Sequence, residues 1–276
     1  MNRARVCALK SLHTIDRFLA PKRLLKIPTR LFGPKNRINH RRIEINITFD
    51  CNLKCLNCNR SCSQAPAKDH MTLEQIEKFI KESQEKARKW EQIVLMGGEP
   101  TVHPAILEIV DMFFSYKRES NHDVKLILAT NGFGPEVKDI LRQLPSDMRV
   151  RNTNKKSRRQ KEFYAFNVAP IDLRAYKNAD YSNKCDVVWS CGTGLSKYGY
   201  YLCSNASGID RVFGMDIGRR ELPSTDDEMT DQAEMLCPFC GRFRVYRGIA
   251  HGKPISPAWE TAYEKYRRQR PVLTEY

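Results

Sequence analysis

CNLKCLNC, residues 51–58, sets three thiols at the spacing CxxxCxxC directly behind an apolar run, IEINITF, residues 43–49. A further thiol, Cys62, stands just beyond. A structural zinc site closes with four N or S ligands. Three thiols in one loop instead suit a [4Fe–4S] cluster that keeps one iron open. Spacing alone leaves both readings standing, because Cys62 is able to close a four-thiol site.

The run ahead of the loop reads as a strand ending at Cys51, and the pattern continues outward. MTLEQIEKFIKESQEKARKW, residues 71–90, reads as a helix with Thr72 as N-cap and Leu73, Ile76, Phe79 and Ile80 on one face. QIVLMGG (92–98) is a short buried strand, AILEIVDMFFSYK (105–117) a helix, and KLILATNG (125–132) a third strand followed by a helix after Pro135. Strand–helix alternation with apolar strands means an α/β fold, a parallel sheet with right-handed crossovers. Ligands gather at the C-terminal strand ends of such sheets. The three unusual loops, CNLKCLNC, GGEP and TNG, all follow strands.

A chain of 276 residues with 41% hydrophobic content can bury a core, which excludes global disorder. The net charge of +15 favours an anionic partner without choosing among nucleic acid, phosphorylated substrate, cofactor and lipid headgroup. Ten cysteines are too sparse for a small disulfide scaffold, and their clustering predicts metal ligation in a reducing compartment, the cytoplasm. No apolar run is long enough to cross a bilayer, and Lys10, His13, Asp16 and Arg17 interrupt any secretory signal. Residues 1–42 form a basic extension in which Ala8, Leu12, Ile15 and Leu19 recur at helical spacing before Pro21. It either packs on the body or makes a peripheral contact with anionic lipid or a charged partner.

RVRNTNKKSRRQK (149–161) is expected as a basic loop or edge connection, and EFYAFNV (162–168) as another strand. The alternation stops near residue 178. WSCGTGLSKYGYYLCSNASG (189–208) then predicts a small hairpin domain, LPSTDDEMTDQAE (222–234) an acidic loop entering a short helix, and CPFCG closes the cysteine set. The expected division is an extension over 1–42, a core over 43–178 and a C-terminal domain over 179–276.

The strand with CNLKCLNC, then MGGEP (96–100), then TNG (130–132), resembles the radical S-adenosylmethionine (SAM) superfamily over roughly residues 41–170. The resemblance implies a partial (β/α) barrel in which Cys51, Cys55 and Cys58 hold a [4Fe–4S] cluster whose fourth iron takes SAM. It assigns Gly97, Gly98 and Glu99 to the methionyl ammonium, and Thr130 and Asn131 to polar contacts with the ribose or carboxylate. The position before the third cysteine is commonly aromatic in that family and flanks the adenine. Here it is Asn57, so stacking there is looser or supplied elsewhere. The implied chemistry is reductive cleavage of SAM to a 5′-deoxyadenosyl radical that abstracts hydrogen from substrate carbon.

CPFCG taken alone is a zinc half-site. With the stretch from Cys185 to Cys203 ahead of it, it is similar to the SPASM or twitch extension of radical SAM enzymes, which holds auxiliary [4Fe–4S] clusters. Five thiols fit a single-cluster twitch, in a layout like that of 2-deoxy-scyllo-inosamine dehydrogenase. That pattern implies Cys185, Cys203, Cys237 and Cys240 as ligands, with Cys185 standing shortly before Trp189. Cys191 is then left free and, with Cys62, is a candidate hydrogen-atom donor to a substrate radical.

The expected function is oxidation or epimerisation of a polar small molecule, a sugar or nucleotide-linked sugar, with phosphate favoured by the charge. A reductant such as flavodoxin or ferredoxin is implied, and no nucleic acid. Two alternatives remain at this level, a peptide or protein maturase and a zinc-bearing nucleic-acid module, the latter leaving GGEP and TNG unexplained. His103, His122, Trp189 and the tyrosines at 198, 200 and 201 read as ordinary packing or surface residues. YEKYRRQR (263–270) reads as a solvated helix with a basic face.

Overall fold

A computed structural model describes residues 26–160, 162–244, 249–251 and 255–276. The helix expected over residues 8–19 lies outside the described residues. Six strands form one sheet in the order β4-β3-β2-β1-β6-β7: β1 (Arg42–Thr48), β2 (Gln92–Gly97), β3 (Lys125–Thr130), β4 (Arg149–Asn152), β6 (Thr193–Ser196) and β7 (Gly199–Tyr201). Every pairing is parallel except β6 with β7. The helices are α1 (Lys26–Phe32), α2 (Leu73–Glu85), α3 (Ile106–Ser120), α4 (Pro135–Gln143), α5 (Val187–Ser190), α6 (Ser204–Phe213), α7 (Thr230–Leu236) and α8 (Pro257–Arg268). Among the described residues no helix is long and apolar enough to cross a membrane.

Alternation along β1 decides which way the sheet faces. Ile43, Ile45 and Ile47 join Ile93, Leu95, Leu126 and Leu128 in a core with Ile76, Phe79 and Phe113 of α2 and α3. The opposite face of β1 carries Glu44 and Asn46, both buried. Helices therefore cover one side of the sheet in the layout of a partial barrel, while on the polar inner face α6 packs against β1, with Asn46 Nδ2 donating to the Ser204 carbonyl at 2.7 Å and Ser204 Oγ donating to Glu44. Helix α2 starts where the sequence places it, in a capping box between Thr72 and Gln75. It stops at Glu85 instead of Trp90, because Ala87 takes φ 47° and breaks the helical path.

Three expectations change. Residues 162–168 do not extend the main sheet: β5 (Glu162–Tyr164) pairs antiparallel with β8 (Ile249–His251) in a separate ribbon. The chain turns away at Asn167, whose N–H donates to Asn57 Oδ1 and whose carbonyl accepts from Ser256 N–H. The hairpin expected in a separate C-terminal domain lies on the main sheet, with Ile43–Asn46 paired to Thr193–Ser196. A strand buried on both faces needs backbone partners on both edges, and β6 supplies the second edge of β1. Trp189, expected to pack in the hairpin, is 64% exposed, whereas Tyr198, Tyr200 and Tyr201 are buried. The basic segment after residue 148 begins as the edge strand β4, with all four residues exposed. The C-terminal helix α8 is basic in its last turn but buries Trp259, Tyr263 and Tyr266. Helix α1 leaves Ile27, Leu31 and Phe32 exposed.

Candidate active site

The loop after β1 holds the first thiol set. Asp50 Oδ1 accepts the Cys51 N–H at 2.8 Å, and Cys51 Sγ accepts the Leu53 N–H at 3.4 Å. The basic segment lies alongside, with Lys54 N–H donating to the Arg158 carbonyl at 2.7 Å and Leu56 N–H to Gln160 at 3.0 Å. Asn57 sits at φ 53°, and Ser61 N–H donates to the Cys58 carbonyl at 2.9 Å, so the chain doubles back around the third thiol. Burial pushes Cys51 up to about 12, with Cys58 and Cys55 adding to the rise. Burial likewise pushes Cys55 up to about 11, and Cys58 adds. Cys58 is drawn down to about 6, first by a hydrogen bond from Cys62. The three thiols thus lie within electrostatic reach of one another in one loop, and thiolates are the soft donors an iron–sulfur cluster takes.

Glycine brings the second loop against the first. A Cβ at Gly97 would run into the Thr48 carbonyl, and one at Gly98 into the Asp50 carbonyl and to 2.9 Å from Cys51 Cβ. Gly98 N–H donates to Thr48 and Glu99 N–H to Asp50, both at 2.9 Å. The strand end of β2 therefore braces the residue that carries the first cysteine.

Glu99 lies between the second and third loops. It is 0% exposed, and its carboxylate accepts from Thr101 Oγ1 at 2.8 Å, Thr130 Oγ1 at 2.7 Å and Asn131 N–H at 2.7 Å, with Thr101 N–H at 3.3 Å. Three of these bonds go to Oε1, whereas Oε2 accepts the Asn131 N–H alone and keeps a lone pair. Burial raises its pKa and these donors oppose the rise. Thr130 is occupied by Glu99, and Asn131 Nδ2 donates to Asn52 Oδ1 at 2.8 Å. Asn52, inside the quoted motif, was not singled out from sequence, yet it joins the cysteine loop to the third loop. Asn57 is 1% exposed and its Nδ2 has no partner.

The second thiol set shares a cavity. Cys185, Cys203, Cys237 and Cys240 line one cavity together with apolar side chains such as Leu202 and Phe243. Burial raises Cys203 and Cys237 well above the usual thiol range, with Cys185 and Cys240 adding to both. Cys191 stands apart. Burial pushes it up to about 11 and its electrostatic neighbours are Glu44 and Arg60. Cys62 is buried beside Cys58. The nine described cysteines form no disulfide. Side chains connect the two sets: Asn59 donates to Asn205 Oδ1 at 2.8 Å, and Arg60 Nη2 to Ser204 Oγ at 3.2 Å. His103 is a buried packing residue bonded to the Met71 carbonyl at 2.9 Å, and His122 is exposed.

Residues 45–148 match the family model described as the radical SAM superfamily. The chain is 34% identical over 90 residues to a probable GTP 3′,8-cyclase of Thermococcus kodakarensis, covering 33% of this chain and 27% of that protein. It is 36% identical over 90 residues to a probable GTP 3′,8-cyclase of Pyrococcus horikoshii, covering 33% and 26%. It is 30% identical over 93 residues to the GTP 3′,8-cyclase of Aliarcobacter butzleri, covering 33% and 27%. The chain thus spans about a quarter of the length of these curated relatives. Among solved structures, BtrN in complex with AdoMet and 2-DOIA superposes with a TM-score of 0.45 at 14% identity, over 78% of this chain and 100% of that one. Over residues 45–148 the chain is thus similar to the radical SAM superfamily.

Proposed function

We propose that the chain cleaves SAM reductively and abstracts hydrogen from a polar or phosphorylated small molecule, a sugar or nucleotide among the fitting classes, giving oxidation or epimerisation. The observation that carries this reading is the placement of Cys51, Cys55 and Cys58, within electrostatic reach of one another, in a loop braced by Gly98 and tied to the third loop through Asn52. These thiols would hold the cluster, which supplies the electron for SAM cleavage when bound. The turn of Gly97, Gly98 and Glu99 would meet the methionyl ammonium, Thr130 and Asn131 would make polar contacts with the ribose or carboxylate, and Asn57 would border the adenine.

Substrate would lie over the inner face of the sheet, where Glu44 and Asn46 of β1 meet Arg60 and Arg151. Arg60 Nε donates to Asn46 Oδ1 at 2.6 Å, and Arg60 and Arg151 approach Glu44 at 3.9 and 3.7 Å. Two guanidiniums against one carboxylate leave this face net positive, which favours an anionic substrate. The cavity lined by Cys185, Cys203, Cys237 and Cys240 would hold an auxiliary [4Fe–4S] cluster, making residues 179–276 a twitch-like region laid on the core sheet. Cys191, beside Glu44, and Cys62 remain the candidate hydrogen donors. Flavodoxin or ferredoxin would supply the electron, and the basic N-terminal extension would make any peripheral membrane contact.

The test is anaerobic reconstitution with iron and sulfide, followed by dithionite and SAM. The wild-type chain should form 5′-deoxyadenosine, and the triple variant Cys51→Ala, Cys55→Ala, Cys58→Ala should not. Cleavage retained in the triple variant overturns the reading.

A further inference from the structure

Arg211, on α6, is a cation sealed inside the protein with no ion-paired acid among the described residues. It is 0% exposed. Nη1 donates to the Ala65 carbonyl and the Tyr266 hydroxyl, both at 2.8 Å, and Nη2 donates to the Arg60 carbonyl at 3.1 Å. Nε has no partner. The guanidinium lies 4.6 Å from the Phe49 ring centroid and 5.5 Å from that of Tyr266. Among the described residues no carboxylate forms an ion pair with it. Asp69, which feels its field, is engaged by Arg270 and the Tyr198 hydroxyl.

Burying a lone charge costs several kcal/mol, and neutral carbonyls with two aromatic faces offset only part of that. A chain retains such a charge where a negative charge belongs nearby. The Arg60 carbonyl that receives Nη2 also accepts the Cys62 thiol at 3.9 Å, and Cys62 in turn hydrogen-bonds Cys58. Tyr263, against the same loop through Ser61 Oγ at 2.8 Å, feels Cys58, Cys62 and Arg211 together. The guanidinium thus sits directly behind the turn that carries the third cysteine.

We propose that Arg211 is the counter-charge of the cluster held by Cys51, Cys55 and Cys58, a positioning residue that governs how readily that centre takes up an electron. Three thiolates give the oxidised centre a net negative charge. One electron from a low-potential donor, flavodoxin, ferredoxin or dithionite, adds another, and a fixed cation in a low-dielectric interior favours the more negative state. The inference rests on the cluster assignment proposed above.

The experiment compares Arg211→Met, Arg211→Gln and Arg211→Lys in the reconstituted full chain. It reads iron and sulfide content and a redox titration of the paramagnetic signal that shifts when SAM is added. Neutral variants that hold iron should show an about tenfold lower reduced fraction at fixed ambient potential, a midpoint ~59 mV more negative, while Lys stays near wild type. An unchanged midpoint in an iron-replete neutral variant overturns the proposal. If both neutral variants lose iron, retention by Lys supports it, and loss by Lys overturns it in favour of the hydrogen-bond geometry. A wild-type chain with no SAM-responsive signal refutes the cluster reading itself, before any variant is compared.

Discussion

The Glu99 carboxylate accepts the backbone N–H of Asn131 at 2.7 Å, binding the turn after β2 to the turn after β3. Thr130 Oγ1 reaches the same carboxylate at 2.7 Å, and Asn131 continues to Asn52 at 2.8 Å. The three loops that follow parallel strands are therefore one hydrogen-bonded unit, with the acid buried at its centre. Such a buried carboxylate is tolerated because every donor around it is aimed inward.

Glu99→Gln places an amide N–H₂ where the protein offers only donors. One surrounding donor must lose its acceptor, at a cost of about 1–3 kcal/mol. Urea denaturation should show that loss of stability in the metal-free chain, with SAM affinity falling because the 130–131 turn is released. Full stability in Glu99→Gln would mean that the carboxylate does not carry this unit.

Gly98→Ala tests the bracing of Cys51. The added Cβ meets the Asp50 carbonyl and Cys51 Cβ, and backbone on both sides leaves no flexible side chain to yield. The expected outcome is a folded chain that reconstitutes with roughly half the wild-type iron, the second thiol set still being filled. Normal iron and normal SAM cleavage in Gly98→Ala would show that the turn accommodates a methyl group.

The main sheet was legible because its central strands are apolar, bounded by turns and separated by amphipathic helices. Thr72 announced α2 through a side-chain cap that depends on local spacing alone. The parallel pairing of β6 with β1 was not legible, since TGLS is short, weakly apolar and distant in sequence from residues 43–46. Nor did the sequence show that Gly97 and Gly98 admit protein backbone or that Glu99 bonds the neighbouring loop. Arg211 carried no signal at all, because nothing in SNASGIDRVF distinguishes a sealed arginine from one on a solvated face.

Alkaline pH should weaken the metal-free chain through its buried thiols. Burial holds Cys51 at about 12 and Cys55 at about 11, whereas an unfolded thiol ionises near ~8.5. A folded pKa above the unfolded one gives stability that is complete below ~8.5 and is lost as pH rises toward the folded values. Cys58, held low at about 6, acts in the opposite sense and only below ~8.5. The urea midpoint of the metal-free protein should therefore fall between pH 8 and 10, and more gently in Cys51→Ala/Cys55→Ala. Equal slopes in both proteins would show that these thiols are hydrated without metal.

The second thiol set offers a choice between two cysteines that only placement resolves. Cys185 shares a cavity with Cys203, Cys237 and Cys240, and its charge is felt by both Cys203 and Cys237. Cys191 stands just ahead of β6, where Glu44 and Arg60 are its electrostatic neighbours. A cluster needs its thiolates around one volume, so on the proposed assignment loss of Cys185 would remove a ligand while loss of Cys191 would remove none. Cys191→Ala should keep the full iron content, about eight per chain with two [4Fe–4S] clusters, and Cys185→Ala should fall to about four. SAM cleavage should survive in both, because neither residue belongs to the first loop. The reverse iron counts would exchange the two roles, and zinc in place of the second four irons would remove the auxiliary cluster from the proposal. If Cys191→Ala keeps its iron yet converts an epimerised product into an oxidised one, the thiol beside Glu44 is the hydrogen donor.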